Sequence, residues 1–440
     1  MFDKLIFILP VITLFAFLLN VFYRGNTVQS CLLFVLSLLP LMDLKITNEA
    51  WGGFKTFDAI SFYCLIFLLK DFVTINLESR NNFYFLLFAL LMVVILLGGL
   101  ASEFPERTYL NLVKTLPVFI FGRFLILECC KDPDFHDQVI RALKVSYLTA
   151  LSFLFMQWII GLRFTFYPSL SPNTVDPVFH IIRYPGVFYD SQGSGQYLAM
   201  GSFLFLYVKE NATRQSRWLS YLVFVLAVIG INIAGSRAAF GGFAIGLVMA
   251  FFMVAKNYRL LGLACLAVAY LVFTSISIHN GVFDRSKNLS EDLVFRQSIW
   301  SEAYDIAQKH QLLGIGSGNY QNYVIRHAQS QYLEVEDGQL VYFDQPENGY
   351  LKIMVELGFT GFAIFCLFLI VPLFKGLIFF IKGLVDKRVA YLMASLISWG
   401  IAFNTVYSIY DYRILLMVAC MVILIITYPL KNVDTYDELV

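Results

Sequence analysis

The stretch Asp344-Gln345-Pro346-Glu347-Asn348-Gly349-Tyr350-Leu351 marks the point where a long polar segment ends and hydrophobic helix resumes. This polar segment begins near His279, and it interrupts a chain otherwise built from apolar runs. An apolar run of about 18 or more residues is long enough to cross a bilayer as a helix. The pattern therefore predicts an all-α polytopic membrane protein with one large external loop between its late spans.

The composition agrees with an integral membrane protein. Of 440 residues, 59% are hydrophobic and 14% are charged, whereas about a quarter of a soluble domain is charged. The net charge is +1 without clustered basic patches, so nucleic acid is not an expected partner. The 7 cysteines are scattered, lie outside the polar segment and form no C-x-x-C. A disulfide framework or a zinc site is therefore not expected.

The hydrophobic runs predict about 12–13 spans. The N-terminal run lacks a small-residue cleavage site and is interpreted as the first span rather than a signal sequence. The candidate spans are Leu5–Phe22, Cys31–Met42, Ala59–Ile75, Tyr84–Leu100, Leu112–Cys129, Val139–Ile160, Gln196–Val208, Leu219–Ile233, Ala238–Ala255, Leu260–Ile278, Tyr350–Ile381, Val389–Val406 and Ile414–Tyr428.

Lysine and arginine in short loops predict the orientation, because such loops are cytoplasmic in excess. Basic loops at 209–217, 256–259 and 375–388 are consistent with a cytoplasmic C-terminus. The opposite face then carries the Arg163–Gly195 loop, the Gly235-Ser236-Arg237 turn, the polar segment and the Tyr410–Arg413 turn. The predicted division is an N-terminal bundle (1–278), a mostly helical loop (279–349) and C-terminal spans (350–440).

Two arginines before the polar loop are candidates for anion binding. Arg237 stands in a turn between two apolar runs, where a charge needs a partner or water. Guanidinium matches phosphate oxygens in bidentate geometry, although a snorkelling arginine at a hairpin is the alternative. Arg183 and Tyr184 precede the next span, so they suit a phosphate or sugar site. For this pair the alternative is an ordinary interfacial belt.

The polar loop contains two further signals. Phe295, Ile299, Ala303 and Ile306 recur at helical spacing, with Trp300 alongside and Arg296 at the start. The turn Gly314-Ile315-Gly316-Ser317-Gly318 follows. It follows no strand and lacks a Lys-Ser/Thr ending, so nucleotide binding is not predicted.

The end of the loop offers a candidate general base. Pro346 favours a helix start, so Glu347 and Asn348 are predicted near the top of a helix. A carboxylate there can accept a proton, and helix capping by the acidic residue is the alternative reading. Glu356 lies inside the following apolar run and needs a partner, for which an arginine is expected.

The order of these sequence motifs resembles that of the O-antigen ligase and Wzy-type polymerase superfamily of bacterial envelope glycosyltransferases. The resemblance covers roughly residues 183–361. It rests on motifs that follow one another around the external loop, namely Ser236-Arg237-Ala238, Arg296-Gln297-Ser298-Ile299-Trp300, Gly314–Gly318, Glu347-Asn348-Gly349-Tyr350-Leu351 and Glu356-Leu357-Gly358-Phe359-Thr360-Gly361.

The resemblance implies a GT-C-like enzyme of the bacterial inner membrane whose large loop is periplasmic. Its donor would be a glycan on undecaprenyl diphosphate, transferred to a glycan or to lipid A–core without metal or other cofactor. A chain-length regulator protein is a possible partner. The residues that match are Arg237, Arg296 and Glu347 for catalysis, with Arg183, Tyr184, Gly316, Asn348 and Tyr350 for substrate binding.

One departure from the family bears on the reaction. Family ligases carry histidine where this chain has Glu347, which favours a polymerase of repeat units over a ligase. A transporter or flippase would also show many spans, although it should show inverted repeats and broken helices. A non-catalytic assembly factor would not need Arg237, Arg296 and Glu347 to converge.

Overall fold

A computed structural model describes residues 2–47, 53–73, 82–167, 169–171, 174–175, 181–208, 212–254, 289–327, 333–336, 339–342 and 345–430. Within these ranges the chain is mainly helical. The helices are α1 Phe2–Arg24, α2 Val28–Ser37, α3 Leu39–Met42, α4 Thr56–Phe67, α5 Leu69–Val73, α6 Asn82–Ala101, α7 Pro105–Lys131, α8 Pro133–Ile160, α9 Ser191–Ser202, α10 Arg214–Ala234, α11 Arg237–Val254, α12 Leu289–Lys309, α13 Tyr320–His327, α14 Gly349–Ile381, α15 Val389–Ala402 and α16 Tyr412–Ile426.

The described helices make the chain an all-α polytopic membrane protein, as predicted. In this part of the chain six helices are long and apolar enough to cross a membrane: α6, α7, α8, α10, α11 and α14. Shorter apolar helices accompany them at Ile8–Arg24, Val28–Ser37, Thr56–Phe67, Val389–Ala402 and Tyr412–Ile426. The predicted span Leu260–Ile278 and the first residues of the polar loop lie outside the described residues.

Several predicted spans are interrupted rather than continuous. The run Cys31–Met42 divides at Leu38 into α2 and α3, where Pro40 near the start of α3 cannot donate a backbone hydrogen bond. The run Ala59–Ile75 divides at Leu68 into α4 and α5. The run Gln196–Val208 begins inside the 12-residue α9, which ends at Ser202 and is followed by the short 3-10 turn Phe203–Phe205.

The longest predicted span, Tyr350–Ile381, is also interrupted. Helix α14 is broken at Gly358, where φ is 67° and ψ is −178°. Only glycine adopts this conformation readily. The break separates a first section, which ends at Leu357, from the long apolar section that follows.

Close helix packing brings α11 and α15 together. A Cβ atom at Gly242 would lie 2.2 Å from the carbonyl oxygen of Ser398, and one at Gly246 would lie 2.8 Å from that of Ala394. Small residues four apart on both helices let the backbones approach, which is a common packing mode in membranes. This pair lies in a large core that also includes residues of α7, α8, α9 and α16.

In its described residues, the polar loop contains two helices and a β-hairpin. Helices α12 and α13 flank the glycine-rich turn, and strands β1 Leu333–Glu336 and β2 Gln339–Tyr342 pair antiparallel. The predicted amphipathic pattern of α12 is confirmed, since Ile299, Ala303 and Ile306 are buried in a cluster with Ile315 and Val355. Through that cluster, α12 packs on the start of α14.

Candidate active site

The glycine-rich turn of the loop is bound into the break in α14. The backbone N–H groups of Ile315 and Gly316 donate to the carbonyl oxygens of Val355 and Glu356, each at 3.0 Å. On the other side of the break, Phe359 N–H donates to the carbonyl of Gln311 at 2.7 Å. The interruption at Gly358 therefore leaves α14 backbone groups available to hold the loop against the membrane helices.

Glu356 completes this attachment. Its side chain is 2% exposed and accepts hydrogen bonds from Gly318 N–H at 2.9 Å, Tyr320 N–H at 3.4 Å and the Tyr410 hydroxyl at 3.3 Å. Lys352, one helical turn earlier, interacts with it electrostatically. The expected arginine partner is thus replaced by loop amides, a tyrosine and a lysine, because the folded loop presents its own donors to the carboxylate.

A second contact holds α13 against the loop between α6 and α7. His327 Nε2 lies 2.9 Å from Glu103 Oε2, and Arg326 lies 3.5 Å from the same oxygen. The hydrogen bond from His327 holds the pKa of the Glu103 carboxyl below its usual value. Nearby, burial lowers the pKa of His310, whose ring contacts the Tyr323 hydroxyl at 3.0 Å.

The structure brings Arg296 and Glu347 into direct contact. An Nη atom of Arg296 lies 2.9 Å from Oε2 of Glu347, and the two side chains are 23% and 37% exposed. Arg296 stands on α12 and Glu347 directly precedes α14, so this ion pair joins the loop to the membrane helix. Both groups remain partly open to solvent, and so to a substrate.

The backbone at Glu347 is unusual. Its φ is 45°, a positive value that no other non-glycine residue of the described ranges adopts. Such a conformation costs about 1–3 kcal/mol and is concentrated at functional sites. The capping alternative does not account for it, because Asn348 is the N-cap of α14 and accepts from Leu351 N–H at 3.1 Å. The Glu347 carboxylate is directed to Arg296 instead.

Asn348 and Tyr350 are placed at the same end of α14. The Asn348 amide also donates to Asn404 Oδ1 at 3.1 Å, and the Tyr350 hydroxyl donates to the carbonyl of Gly400 at 2.7 Å. Both line a groove of about 440 Å³ between α12 and α14, together with Gln297, Trp300, Ser301 and Tyr304. Amides, hydroxyls and aromatic faces thus lie beside the Arg296–Glu347 pair.

Arg183, Tyr184 and Arg237 form a second group around the turn that joins α10 to α11. A Cβ atom at Gly235 would lie 2.9 Å from Cγ of Arg183, so the buried arginine packs directly on this turn. Tyr184 N–H donates to the carbonyl of Ile233 at 3.3 Å. Arg237 begins α11 and is half-buried. Gly235, in the left-handed region with φ 66°, permits this close approach.

Gly316 is enclosed rather than open. Its φ is 94°, and a Cβ atom there would meet Thr108, Asn319 and Ser102 within 2.7 Å. The adjoining Ile315 carbonyl accepts from the Ser102 hydroxyl at 2.7 Å. The glycine therefore seats the turn against the start of α7. Its role in substrate binding stays a prediction.

Two residues of this region were missed by sequence reasoning. Lys352 is 7% exposed and lies over the rings of Tyr407 and Tyr410 at 4.6 and 5.0 Å. A lysine inside a predicted span was a detectable signal, since such residues are costly and usually functional. Tyr410 offered no signal, because its contact with Glu356 depends on the fold.

With this geometry established, comparison with known protein families finds one match. A family model described as O-Antigen ligase matches residues 222–366, about a third of the 440 residues. The match extends from α10 through the polar loop into α14, and it includes Arg237, Arg296, Glu347 and Glu356. No curated protein matches the chain.

The match at residues 222–366 bears out the predicted resemblance to the O-antigen ligase and Wzy-type polymerase superfamily. At the level of the family, this match supports a membrane glycosyltransferase of the ligase or polymerase type.

Proposed function

We propose that this protein transfers a glycan from undecaprenyl diphosphate to an acceptor hydroxyl at the outer face of the inner membrane, and that it polymerises repeat units of a surface polysaccharide. The observation that carries the proposal is the contact between Arg296 and Glu347. A base beside an anion-binding group is the arrangement that this chemistry needs.

In the proposed reaction, the acceptor oxygen attacks the anomeric carbon while the bond from that carbon to the diphosphate oxygen breaks. The electron pair leaves with the diphosphate, and the acceptor proton passes to Glu347. Arg296 stabilises the charge that develops on the leaving group. Its guanidinium carries five N–H donors, so it can bind a phosphate oxygen while it still orients the Glu347 carboxylate.

The second arginine group has a supporting role in this proposal. Arg237 and Arg183 bind the diphosphate together with Arg296, because guanidinium groups suit phosphate oxygens. The groove beside α12 holds the glycan, whose hydroxyls match Gln297 and Asn348 and whose apolar faces match Trp300 and Tyr304. The loop is proposed to be periplasmic and the C-terminus cytoplasmic. Metal independence remains a prediction.

A ligase that joins the glycan to lipid A–core is the second candidate. It is favoured by the description of the matching family model, whereas glutamate in place of the family histidine at position 347 favours the polymerase. Both reactions use the same donor and the same leaving group. They differ in the acceptor, so the two candidates predict different products in the cell.

Complementation of a strain that lacks its own copy tests the proposal. Glu347→Gln should lower activity at least about 100-fold, because the base is lost. Arg237→Ala should lower activity by a similar factor, because the charge of the phosphate groups is no longer balanced. Glu106→Gln and Arg141→Ala, both exposed, are matched controls that should retain activity. Surface glycan is resolved on gels at equal expression.

The products distinguish the candidates. Single repeats attached to lipid A–core without long chains in both site variants would support the polymerase, and unattached long polymer would support the ligase. Unchanged surface glycan in both variants would rule out this catalytic site and favour a transporter instead.

A further inference from the structure

Two histidines of the polar loop lie in a cluster that the proposed reaction does not use. His310 directly follows α12, and His327 is the last residue of α13. The Tyr323 ring packs on both imidazoles, with centroid distances of 5.4 Å to His310 and 4.4 Å to His327. Glu103, in the loop between α6 and α7, completes the cluster through its contact with His327. The cluster therefore joins the end of α12, the end of α13 and the loop between α6 and α7.

The two ends of α13 are held in different ways. Tyr320 and Val324 are buried in the apolar cluster to which α12 and α14 also contribute, so the first turn is held by packing. In the last turn, Arg326 and His327 share one carboxylate, that of Glu103. The side chains of these three residues are between 40% and 60% exposed. The last turn therefore depends on a charged contact that water can reach.

The bond between His327 and Glu103 does not by itself break when the pH falls through the histidine range. Nε2 of His327 carries a proton in the protonated ring and in one neutral tautomer, so it can donate to the carboxylate in either state. Protonation adds charge to this bond, which strengthens it. Glu103 also stays charged in this range, because the hydrogen bond from His327 holds its pKa below the usual value, which is about 4.3. A release of α13 by mild acid therefore requires another group.

His310 responds to acid in the opposite direction. Its side chain is half-buried, and its Nε2 lies 3.0 Å from the Tyr323 hydroxyl. Burial is the main cause that lowers the pKa of His310. Of the charged groups that act on the ring, Glu103 opposes this effect, whereas His327 and Lys309 add to it. A proton on His310 is therefore less favourable in the folded cluster than in water.

This lowered pKa gives the pH dependence a definite sign. The released ring binds a proton more readily than the attached ring, so acid favours release. The contribution of His310 to the attachment is fully present above its ordinary pKa of about 6.5. It decreases as the pH falls from there through the lowered value. Mild acid thus loosens the last turn of α13 while the Glu103 carboxylate is still charged.

We propose that His310 is a pH sensor of the polar loop, and that its protonation releases the last turn of α13 from the loop between α6 and α7. A charged His310 ring is repelled by Lys309 and by His327. Its movement takes away one of the two rings that hold Tyr323 in place, and with it the packing of Tyr323 on His327. The charged contact with Glu103 then remains without its aromatic support.

The sensor lies on the segment that leads to the candidate base. From His327 the chain continues through strands β1 and β2 to Glu347, which directly precedes α14. The inference goes beyond the proposed function and does not rest on it, because the release of α13 is a property of the fold and not of the transfer reaction.

Hydrogen exchange on the full-length protein in phosphatidylcholine nanodiscs measures the release directly. Exchange of the peptide that covers α13 is followed at about pH 7.5 and about pH 5.5, on either side of the ordinary histidine pKa of about 6.5. Labelling times are scaled to the intrinsic exchange rate at each pH. Protection of the last turn should fall at least about 3-fold at the lower pH, while α15, which lies in the large core, stays equally protected. Equal protection of α13 at the two pH values would overturn the proposal.

Two glutamine variants identify the sensor. In His310→Gln the side-chain amide can still bond to the Tyr323 hydroxyl but cannot be protonated, so the fall in protection at low pH should disappear. His327→Gln is the matched control, because its amide can still donate to Glu103 and His310 is retained. In this control the fall should persist. A fall that persists in His310→Gln overturns the assignment, and so does one that disappears in His327→Gln.

The unmodified protein provides a second measurement, which does not depend on the folding of a variant. Diethylpyrocarbonate reacts with neutral imidazole, so the initial rate of modification at different pH values gives the pKa of each histidine by peptide mass spectrometry. The midpoint for His310 should lie below about 6.5, and a midpoint at or above that value contradicts the proposal. Both measurements are made without the transferase activity, so their outcome is distinct from that of the complementation assay.

Discussion

At the scale of single residues, Glu347 is the most informative position. It combines a positive φ with a direct contact to Arg296, while the neighbouring Asn348 caps the helix. Asn348 caps the helix, and Glu347 binds Arg296. This division of roles between adjacent residues explains why a non-glycine residue occupies a strained backbone position. A carboxylate is needed there, and the strain is the cost of directing it toward α12.

The strain at Glu347 predicts an opposition between stability and activity. Glu347→Gly and Glu347→Ala both remove the carboxylate, but only glycine adopts φ 45° without a steric penalty of about 1–2 kcal/mol. We expect the glycine variant to be more stable than the alanine variant by up to about 1 kcal/mol, with both inactive. Thermal unfolding in detergent checks this difference. An alanine variant that is the more stable of the two would contradict the strain.

At the scale of secondary structure, the break in α14 is the feature that attaches the loop to the membrane helices. Gly358 allows Val355, Glu356 and Phe359 to bind the turn that follows α12. The glycine-rich turn and the Glu-Leu-Gly motif are therefore two halves of one contact. A continuous helix would satisfy these backbone groups internally and could not hold the loop.

Substitution of Gly358 tests this role. A Cβ atom there would lie 2.5 Å from the backbone of Leu312, in a conformation that alanine does not adopt readily. Gly358→Ala should lower the free energy of unfolding by at least about 1–3 kcal/mol. Gly241→Ala on α11 is the matched control, because nothing lies within 4 Å of its Cβ position and alanine favours helix.

Protection of α12 and α13 from hydrogen exchange is the specific readout for this variant. Loss of protection in Gly358→Ala, but not in Gly241→Ala, is expected. A Gly358→Ala protein with unchanged stability and unchanged loop protection would show that the break is not needed.

At the scale of the whole molecule, a buried charge network joins distant parts of the chain. Arg413 is 1% exposed and binds Asp411 through both carboxylate oxygens. It also contacts Asp43, at 3.7 Å, and donates to the carbonyl of Val187. The network thus links the Arg163–Gly195 loop, the turn before α16 and the end of α3. Together with the contacts of Glu356 and Tyr410, it connects three segments predicted to share one face.

Removal of Arg413 should therefore destabilise the assembly of these segments. Arg413→Met leaves the half-buried carboxylate of Asp411 without its ion-pair partner, while Asp43 keeps its ion pair with Lys55. A loss of about 3 kcal/mol is expected. Arg141→Met, at an exposed position, is the control. Fluorescence-detected size-exclusion after stepwise heating measures the effect. Equal melting of the two variants would show that Arg413 is not needed to hold these segments together.

The membrane class, the late polar loop, the helix containing Ile299 and Ile306, and the helix start near Asn348 could all be predicted from the sequence. Run length, hydrophobic periodicity and turn residues are local properties, so the chain itself determines them. The ordered motifs also allowed the family to be recognised. Helix interruptions such as that at Gly358 were harder to predict from the sequence, because the apolar composition continues across them.

Only the tertiary structure decided which of these residues meet. The pairing of Arg296 with Glu347 and the partners of Glu356 and Arg413 join segments that are far apart in sequence. Such contacts depend on how helix faces pack and on which backbone donors remain available. The sequence determined which residues carry charge within a membrane protein, and the fold decided which partner neutralises each one, because a buried charge must be paired where the packing places it.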